Sequence, residues 1–222
     1  MIKVRDLYVT YRWRQNPVLR GVNAVLQSKC LILGPNGSGK STLFKSICGL
    51  TTIDSGTIVI DGHRIDEIHS SLGLVSTNLA EVYDLLRINV YDLVQLYMNI
   101  TRGDSELTYG VIEEFGLDRS FLKKRRLSEL SAGQRKIVCN ALAISIKAKH
   151  VLLDEPFEQL DPAKKMLLIR HLKKYDGVIL LNTHETWLMK RLRDWEARFM
   201  FEGLMYGPIL VKEPSRRVYL HG

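Results

Sequence analysis

The sequence predicts an α/β fold built on a mainly parallel sheet, joined by antiparallel strands and interrupted by a helical insert. Three observations predict it. Short runs that are apolar throughout, CLIL near residue 30, HVLL near 150 and GVILL near 180, read as strands buried on both faces. Stretches with apolar residues at helical spacing follow these runs, which is the alternation of a sheet covered by helices. Between residues 90 and 130 the pattern is helical with no such strand in it.

Taken in order, MIKVRDLYVTY shows β-type alternation with Val4, Leu7, Val9 and Tyr11 and reads as a strand. A second strand, VLRGVNAVLQ, follows Pro17. KCLILGPNGSGKSTLFKSICGL then reads as a short strand, a glycine turn and a helix from about Lys40 to Gly49, with Gly49 as its stop. GTIVIDGHRI is a hairpin turning at Asp61-Gly62. The insert supplies VYDLVQLYMNI, LTYGVIEEFGL and the charged KKRRLSEL, and SAGQRKIVCNALAISIKA continues as a helix. HVLLDEP is a buried strand ending in two carboxylates. DPAKKMLLIRHLKKY opens a helix with Asp161 as N-cap and Pro162 in first position. GVILLNTHE is a further buried strand, and RFMFEGLMYGPILVKE a closing hairpin around Glu202-Gly203. The expected organisation is one domain over residues 1–222. An α/β core with a β-subdomain spans 1–85 and 131–222, and a helical subdomain lies at about 86–130.

The chain has 222 residues, 45% hydrophobic and 25% charged, an ordinary globular composition. No apolar run reaches the roughly 18 residues needed to cross a bilayer. The first residues lack the apolar core of a secretory signal. Cys30, Cys48 and Cys139 are isolated among apolar residues, with no metal-binding spacing, and read as reduced core side chains. These features point to the cytosol, with any membrane role carried by a partner. The net charge of +8 comes from short basic clusters and reads as a solvated surface. No helix-turn-helix, zinc-finger or RNA-binding pattern accompanies it, so no nucleic-acid partner is expected. His63, His69, His150, His171 and His221 are scattered and read as surface or structural, and Trp187 and Trp195 as packing residues.

Chemistry concentrates in three places. Residues 34–42, Gly34, Pro35, Asn36, Gly37, Ser38, Gly39, Lys40, Ser41 and Thr42, satisfy G-x-x-x-x-G-K-[ST] between a strand and a helix. Backbone N–H groups and a helix N-terminus there suit phosphate, Lys40 adds a point charge, and Ser41 offers a hydroxyl to Mg²⁺. At the end of HVLLDEP, Asp154 can hold Mg²⁺ through its water shell, and Glu155 can polarise a water toward a γ-phosphate. LSAGQ precedes a helix. Ser131 with Gln134 three residues on is a capping box, and taken alone this reading would win. Its position between the two phosphate motifs argues for more.

In this order the motifs resemble the ATP-binding-cassette (ABC) ATPases: GPNGSGKST, a helical insert, LSAGQ, VLLDEP, Asp161, then the histidine His184. The resemblance covers nearly the whole chain and implies a P-loop NTPase fold with a RecA-like, mainly parallel sheet. It implies that Tyr11 stacks on adenine, with Arg12 and Trp13 as substitutes. Residues 34–42 would hold ATP, Ser41 and Asp154 would position Mg²⁺, Glu155 would be the general base, and His184 would sense the γ-phosphate. Ser131, Ala132, Gly133 and Gln134 would reach ATP on a second cassette, and Asp161 would lie at the interface between cassettes. The partners implied are that second cassette, in a homo- or heterodimer, and an integral membrane permease on whose inner face the protein sits.

Three departures stand out. Thr77, followed by Asn78, occupies the place of the family's Q-loop glutamine, a metal-facing position. Ala132 replaces a glycine. The turn before the glycine loop, in AVLQSKCLIL, is a little short. The leading reading is the ATPase subunit of a transporter. The alternative is a soluble ABC ATPase of an assembly system of the iron–sulfur type. NTHE after the GVILL strand, in place of a guanine-reading NKxD, favours ATP over GTP.

Overall fold

The computed structural model describes residues 1–65, 73–84 and 87–210. His69 and His221 lie outside these residues. Among the described residues, ten strands run β1 Ile2–Val9, β2 Leu19–Leu26, β3 Cys30–Leu33, β4 Ser55–Ile60, β5 His63–Arg64, β6 Val75–Thr77, β7 His150–Asp154, β8 Val178–Thr183, β9 Glu196–Phe201 and β10 Leu204–Leu210. The α-helices among the described residues are α1 Lys40–Ile47, α2 Val90–Thr101, α3 Ser105–Glu114, α4 Arg119–Lys124, α5 Ala132–Ser145, α6 Pro162–Lys174 and α7 Leu188–Arg191.

The strands form two sheets. One is antiparallel, in the order β2-β1-β4-β5, and the other has six strands in the order β10-β9-β3-β8-β7-β6. In the larger sheet β9, β3, β8, β7 and β6 are parallel neighbours, and only β10 runs antiparallel. The apolar-throughout reading of the central strands has a direct cause, because each separates two cores. Leu31 and Leu33 of β3, Val151 and Leu153 of β7, and Ile179 and Leu181 of β8 pack with the helices. Cys30, Ile32, Leu152 and Leu180, the alternate residues, pack with α1 and the antiparallel sheet. Trp195 is fully buried among the helices, as a packing residue should be.

The helices end as their sequences direct. Asn89, Asp104, Asp118 and Asp161 cap α2, α3, α4 and α6 by accepting from the backbone N–H three residues on. Ser131 and Gln134 form the reciprocal capping box at the start of α5. Asp61-Gly62 and Glu202-Gly203 turn the two predicted hairpins, all four residues at positive φ. Cys30 and Cys139 are buried and Cys48 is half-buried, all three free.

The N-terminus of β7 is fastened to the antiparallel sheet by charge. The fully buried His150 ring meets Asp61 Oδ2 at 2.9 Å, and Asp61 also holds Lys149 at 3.1 Å and the Met1 ammonium. Burial holds the His150 imidazole below its usual value of 6.5, with Asp61 opposing. Burial alone would raise the Asp61 carboxyl, but its bonds from the Met1 ammonium, His150 and Lys149 outweigh this and hold it well below the usual carboxylate value of 3.8. The unfolded chain therefore takes up a proton at about 6.5 that the folded His150 declines, and below 3.8 Asp61 adds a second loss of the same sign. Stability should fall on acidification from about pH 7 to about pH 5. His150→Gln should flatten that part of the urea-midpoint profile while leaving the steeper decline near pH 3 to 4, roughly where the remaining carboxylates titrate.

Candidate active site

The parallel strands fix where the chemistry meets. Leu33 at the end of β3 stands opposite Thr183 at the end of β8, and Asp154 at the end of β7 stands opposite Asn182. The turns after β3, β7 and β8 therefore leave the sheet at one edge. This is where open parallel sheets place their ligands.

Residues 34–39 bridge β3 and α1, and the loop is pressed against the closing hairpin. A Cβ on Gly34 would sit 2.2 Å from the Met200 carbonyl oxygen of β9, so only glycine fits. The Gly203 N–H donates to the Ser38 carbonyl at 3.1 Å from the same hairpin. Lys40 is buried, and its ammonium donates to the Gly34 and Pro35 carbonyls at 2.8 and 3.0 Å. Glu155 Oε1 lies 3.8 Å from it. Burial lowers the Lys40 pKa, with Glu155 and Asp154 pulling it back up. Lys40 is thus a poorly hydrated cation facing the mouth of the loop.

Ser41, one residue into α1, donates its hydroxyl to Asp154 Oδ1 at 2.9 Å. This contact joins positions 113 residues apart in the chain. Glu155 follows with a backbone φ of 44°, in the left-handed region, and its N–H donates to both the carbonyl and the side-chain oxygen of the buried Asn182, each at 3.1 Å. Such strain at a carboxylate is the kind that functional sites hold. His184 Nδ1 lies 3.1 Å from Glu155 Oε1. Lys40, Ser41, Asp154, Glu155 and His184 therefore form one connected group. Tyr11, Trp13, Asn36, Gly37, Gly39, Lys40, Ser41, Thr42 and Glu155 line a cleft of about 320 Å³. In it the Tyr11 ring is stacked on Trp13, with centroids 4.7 Å apart, and the Tyr11 hydroxyl is 3.2 Å from Thr42 Oγ1. Trp13 is 78% exposed.

The remaining expected residues lie elsewhere. None of Ser131, Ala132, Gly133 and Gln134 lines this cleft. Ser131 and Gln134 spend their side chains on capping α5, and Gly133 packs so that a Cβ would sit 2.7 Å from the Gln159 carbonyl. Asp161 caps α6 and also binds the Lys164 ammonium at 2.8 Å. Thr77 is buried, its hydroxyl accepts from the Leu79 N–H at 3.3 Å, and its carbonyl accepts from the Tyr83 hydroxyl. It is the next residue, Asn78, whose amide meets the Asp154 backbone. Asn140 and Lys136 on α5 were missed by the sequence reading, although a lone amide within the apolar stretch IVCNALAI was a signal.

The chain is similar in sequence and fold to known proteins. The family model for the ABC transporter matches residues 23–158. A manganese transport system ATP-binding protein of Bacillus subtilis is 29% identical over 212 residues, covering 90% of this chain and 84% of that protein. A cobalt import ATP-binding protein of Salmonella typhimurium is 28% identical, covering 87% of this chain and 75% of its own length. Among solved structures, a cobalt transport ATP-binding protein superposes with a TM-score of 0.87 at 34% identity, over 95% of this chain and 80% of that one. A dimeric ATP-binding cassette in a post-hydrolysis state, bound to ADP and Pi, shares the fold with a TM-score of 0.80 at 20% identity, over 96% and 99% of the two chains. By family match, fold and motif order together, the chain belongs to the ABC transporter family and is an ATP-binding, ATP-hydrolysing subunit of it.

Proposed function

We propose that this subunit closes on ATP against a second cassette and thereby drives a separate membrane permease. The observation that carries the reading is the connected group of Lys40, Ser41, Asp154, Glu155 and His184, set apart from the Ser131 and Gly133 segment that would have to complete an enclosure. A site divided in this way is finished by a second copy or a related chain, and the dimeric cassette with ADP and Pi is in keeping with that arrangement.

The residues divide the work. Backbone N–H groups of residues 34–39 and the start of α1 face the phosphates, and Lys40 transfers its ammonium from the loop carbonyls to them. The Tyr11–Trp13 stack offers the adenine an aromatic platform. Ser41 and Asp154 present two oxygen groups side by side, a donor set that suits Mg²⁺. Among the described residues no group of three or more His, Cys, Asp or Glu could hold a metal ion. When bound there, Mg²⁺ supplies charge neutralisation on those phosphates. Glu155 takes the proton of the attacking water, and His184, hydrogen-bonded to Glu155, orients that carboxylate and meets the γ-phosphate. Ser131, Ala132, Gly133 and Gln134 contact ATP from the opposite cassette, and Asp161 lies at their junction. No helix among the described residues is long and apolar enough to cross a membrane. Held by its permease, the subunit would sit peripherally, on the inner face of the membrane. Substrate choice belongs to that permease.

Removing the Lys40 charge should weaken ATP binding by about 1.5–3 kcal/mol, on the order of ten- to a hundredfold in Kd, as read by calorimetry on Lys40→Ala. Glu155→Gln should keep ATP binding, slow turnover by roughly 10²- to 10⁴-fold, and accumulate a dimer with ATP on gel filtration. Wild-type turnover by Glu155→Gln would exclude Glu155 as the base. Absence of any ATP-dependent pairing, in wild type and Glu155→Gln alike, would exclude the two-cassette reading.

A further inference from the structure

The metal-facing carboxylate Asp154 is the last residue of β7, and its neighbour strand β6 stops at Thr77, paired with Leu152. Beyond that point the sheet ladder no longer holds the Asp154 peptide on this side. The side chain of Asn78 takes over. Its Oδ1 accepts from the Asp154 N–H at 2.7 Å, and its Nδ2 donates to the Asp154 carbonyl at 3.2 Å. One amide thus does for Asp154 what a further strand residue would do with its backbone.

The same amide is held from the other side. Asn78 Nδ2 also donates to Asn140 Oδ1 at 2.8 Å, and Asn140 Nδ2 donates to the Pro156 carbonyl at 2.8 Å. Both side chains are almost wholly buried, at 3% and 2% exposure. The oxygen and both N–H groups of Asn78 are used, and each bond has one acceptable amide orientation. Buried amides are costly unless fully paired, and here pairing is spent on the backbone of Asp154 and Pro156, the two residues on either side of Glu155. Asn140 sits in the middle of α5, and Lys136, one turn earlier on that helix, donates its ammonium to the Asp154 carbonyl at 3.1 Å. The helix that begins at Ser131 therefore grips the strand end that carries Asp154, through two of its side chains.

We propose that Asn78 and Asn140 are positioning residues for the metal-holding carboxylate. They set the Asp154 backbone, and hence the place of its oxygens beside Ser41, and they make that place depend on the position of α5. A displacement of α5, whose first residues face the second cassette, would reach Asp154 directly without passing through the phosphate loop. The inference rests on the reading of Ser41 and Asp154 as the Mg²⁺-facing pair.

The test is binding of a fluorescent non-hydrolysable ATP analogue to the whole protein, titrated with Mg²⁺ and repeated in EDTA. Wild type should bind more tightly as Mg²⁺ rises. Asn78→Ala should bind the analogue in EDTA like wild type but need about tenfold more Mg²⁺ to reach the midpoint, the size of effect usual for residues that orient a metal ligand. Asn140→Ala should shift the midpoint the same way by a smaller factor, and the double variant should be no worse than Asn78→Ala alone, because the two act as one unit. Asn78→Asp keeps the acceptor for the Asp154 N–H but turns a buried carboxylate oxygen toward the Asp154 carbonyl and Asn140 Oδ1, both acceptors, so it should shift the midpoint at least as far as Asn78→Ala. Wild-type Mg²⁺ midpoints in both single variants would overturn the proposal, as would an equal loss of affinity with and without Mg²⁺, which marks a purely structural role. If Asn78→Ala does not fold, the Asn140→Ala midpoint decides. A wild type indifferent to Mg²⁺ would overturn the reading of Ser41 and Asp154 as well, whereas a Mg²⁺-dependent wild type with unshifted variants overturns this inference alone.

Discussion

The register of three parallel strands carries the site. With Leu33 opposite Thr183 and Asp154 opposite Asn182, the turns after β3, β7 and β8 emerge side by side. Shifting one of these strands by a single residue would turn its core-facing side chains to the wrong layer and move its turn along the sheet edge. The alternation that sends Leu31 to the helices and Ile32 to the antiparallel sheet therefore also places Ser41 within hydrogen-bond reach of Asp154. Packing and chemistry are set by the same pairing. The Lys40 ammonium, the Ser41 hydroxyl, the Glu155 carboxylate and the His184 ring are all reached from those three turns, while Tyr11 and Trp13 come to the cleft from the end of β1.

Much of this was legible before any coordinates. Strands covered on both faces must be apolar at every position, and CLIL and HVLLD could be found on that ground alone. Caps written as Asp-Pro at 161–162 and as Ser131 with Gln134 gave helix starts because each supplies a specific bond to a free N–H group. The motif residues were legible because phosphate chemistry restricts residue type and spacing together. The Asn78–Asn140 pair was not, since its meaning lies in a contact across 62 positions between two amides of no special spacing. Thr77 illustrates the same limit. Reading along the chain assigns a residue to a place within one or two positions, while a strand end turns adjacent side chains to opposite sides, and here the hydroxyl of Thr77 turns to Leu79 and the amide of Asn78 to Asp154.

Close approach explains what residue type alone cannot. Gly34 is held against a carbonyl of β9, and Gly133 against the carbonyl of Gln159, which itself sits at a positive φ of 63°. The second contact joins the start of α5 to the segment between Glu155 and Asp161. With Lys136 and Asn140 added, α5 touches the β7 strand end and the loop that follows it at several separate points. A helix attached in this way moves with that strand end, and the two are expected to shift as one body.

The bracing of the phosphate loop by the β9–β10 hairpin bears on how the protein is made. β3, which precedes the loop, is paired on one side with β8 and on the other with β9, so its neighbours are synthesised some 150 residues after it. The Gly203 N–H that reaches Ser38 emerges later still. A ribosome-bound chain carrying the whole of residues 34–42 has therefore not yet acquired the strands that give the loop its shape. Pairings so distant along the chain form slowly, and the edges waiting for them are open to wrong partners. Competence to hold nucleotide should therefore arrive only with the last hairpin.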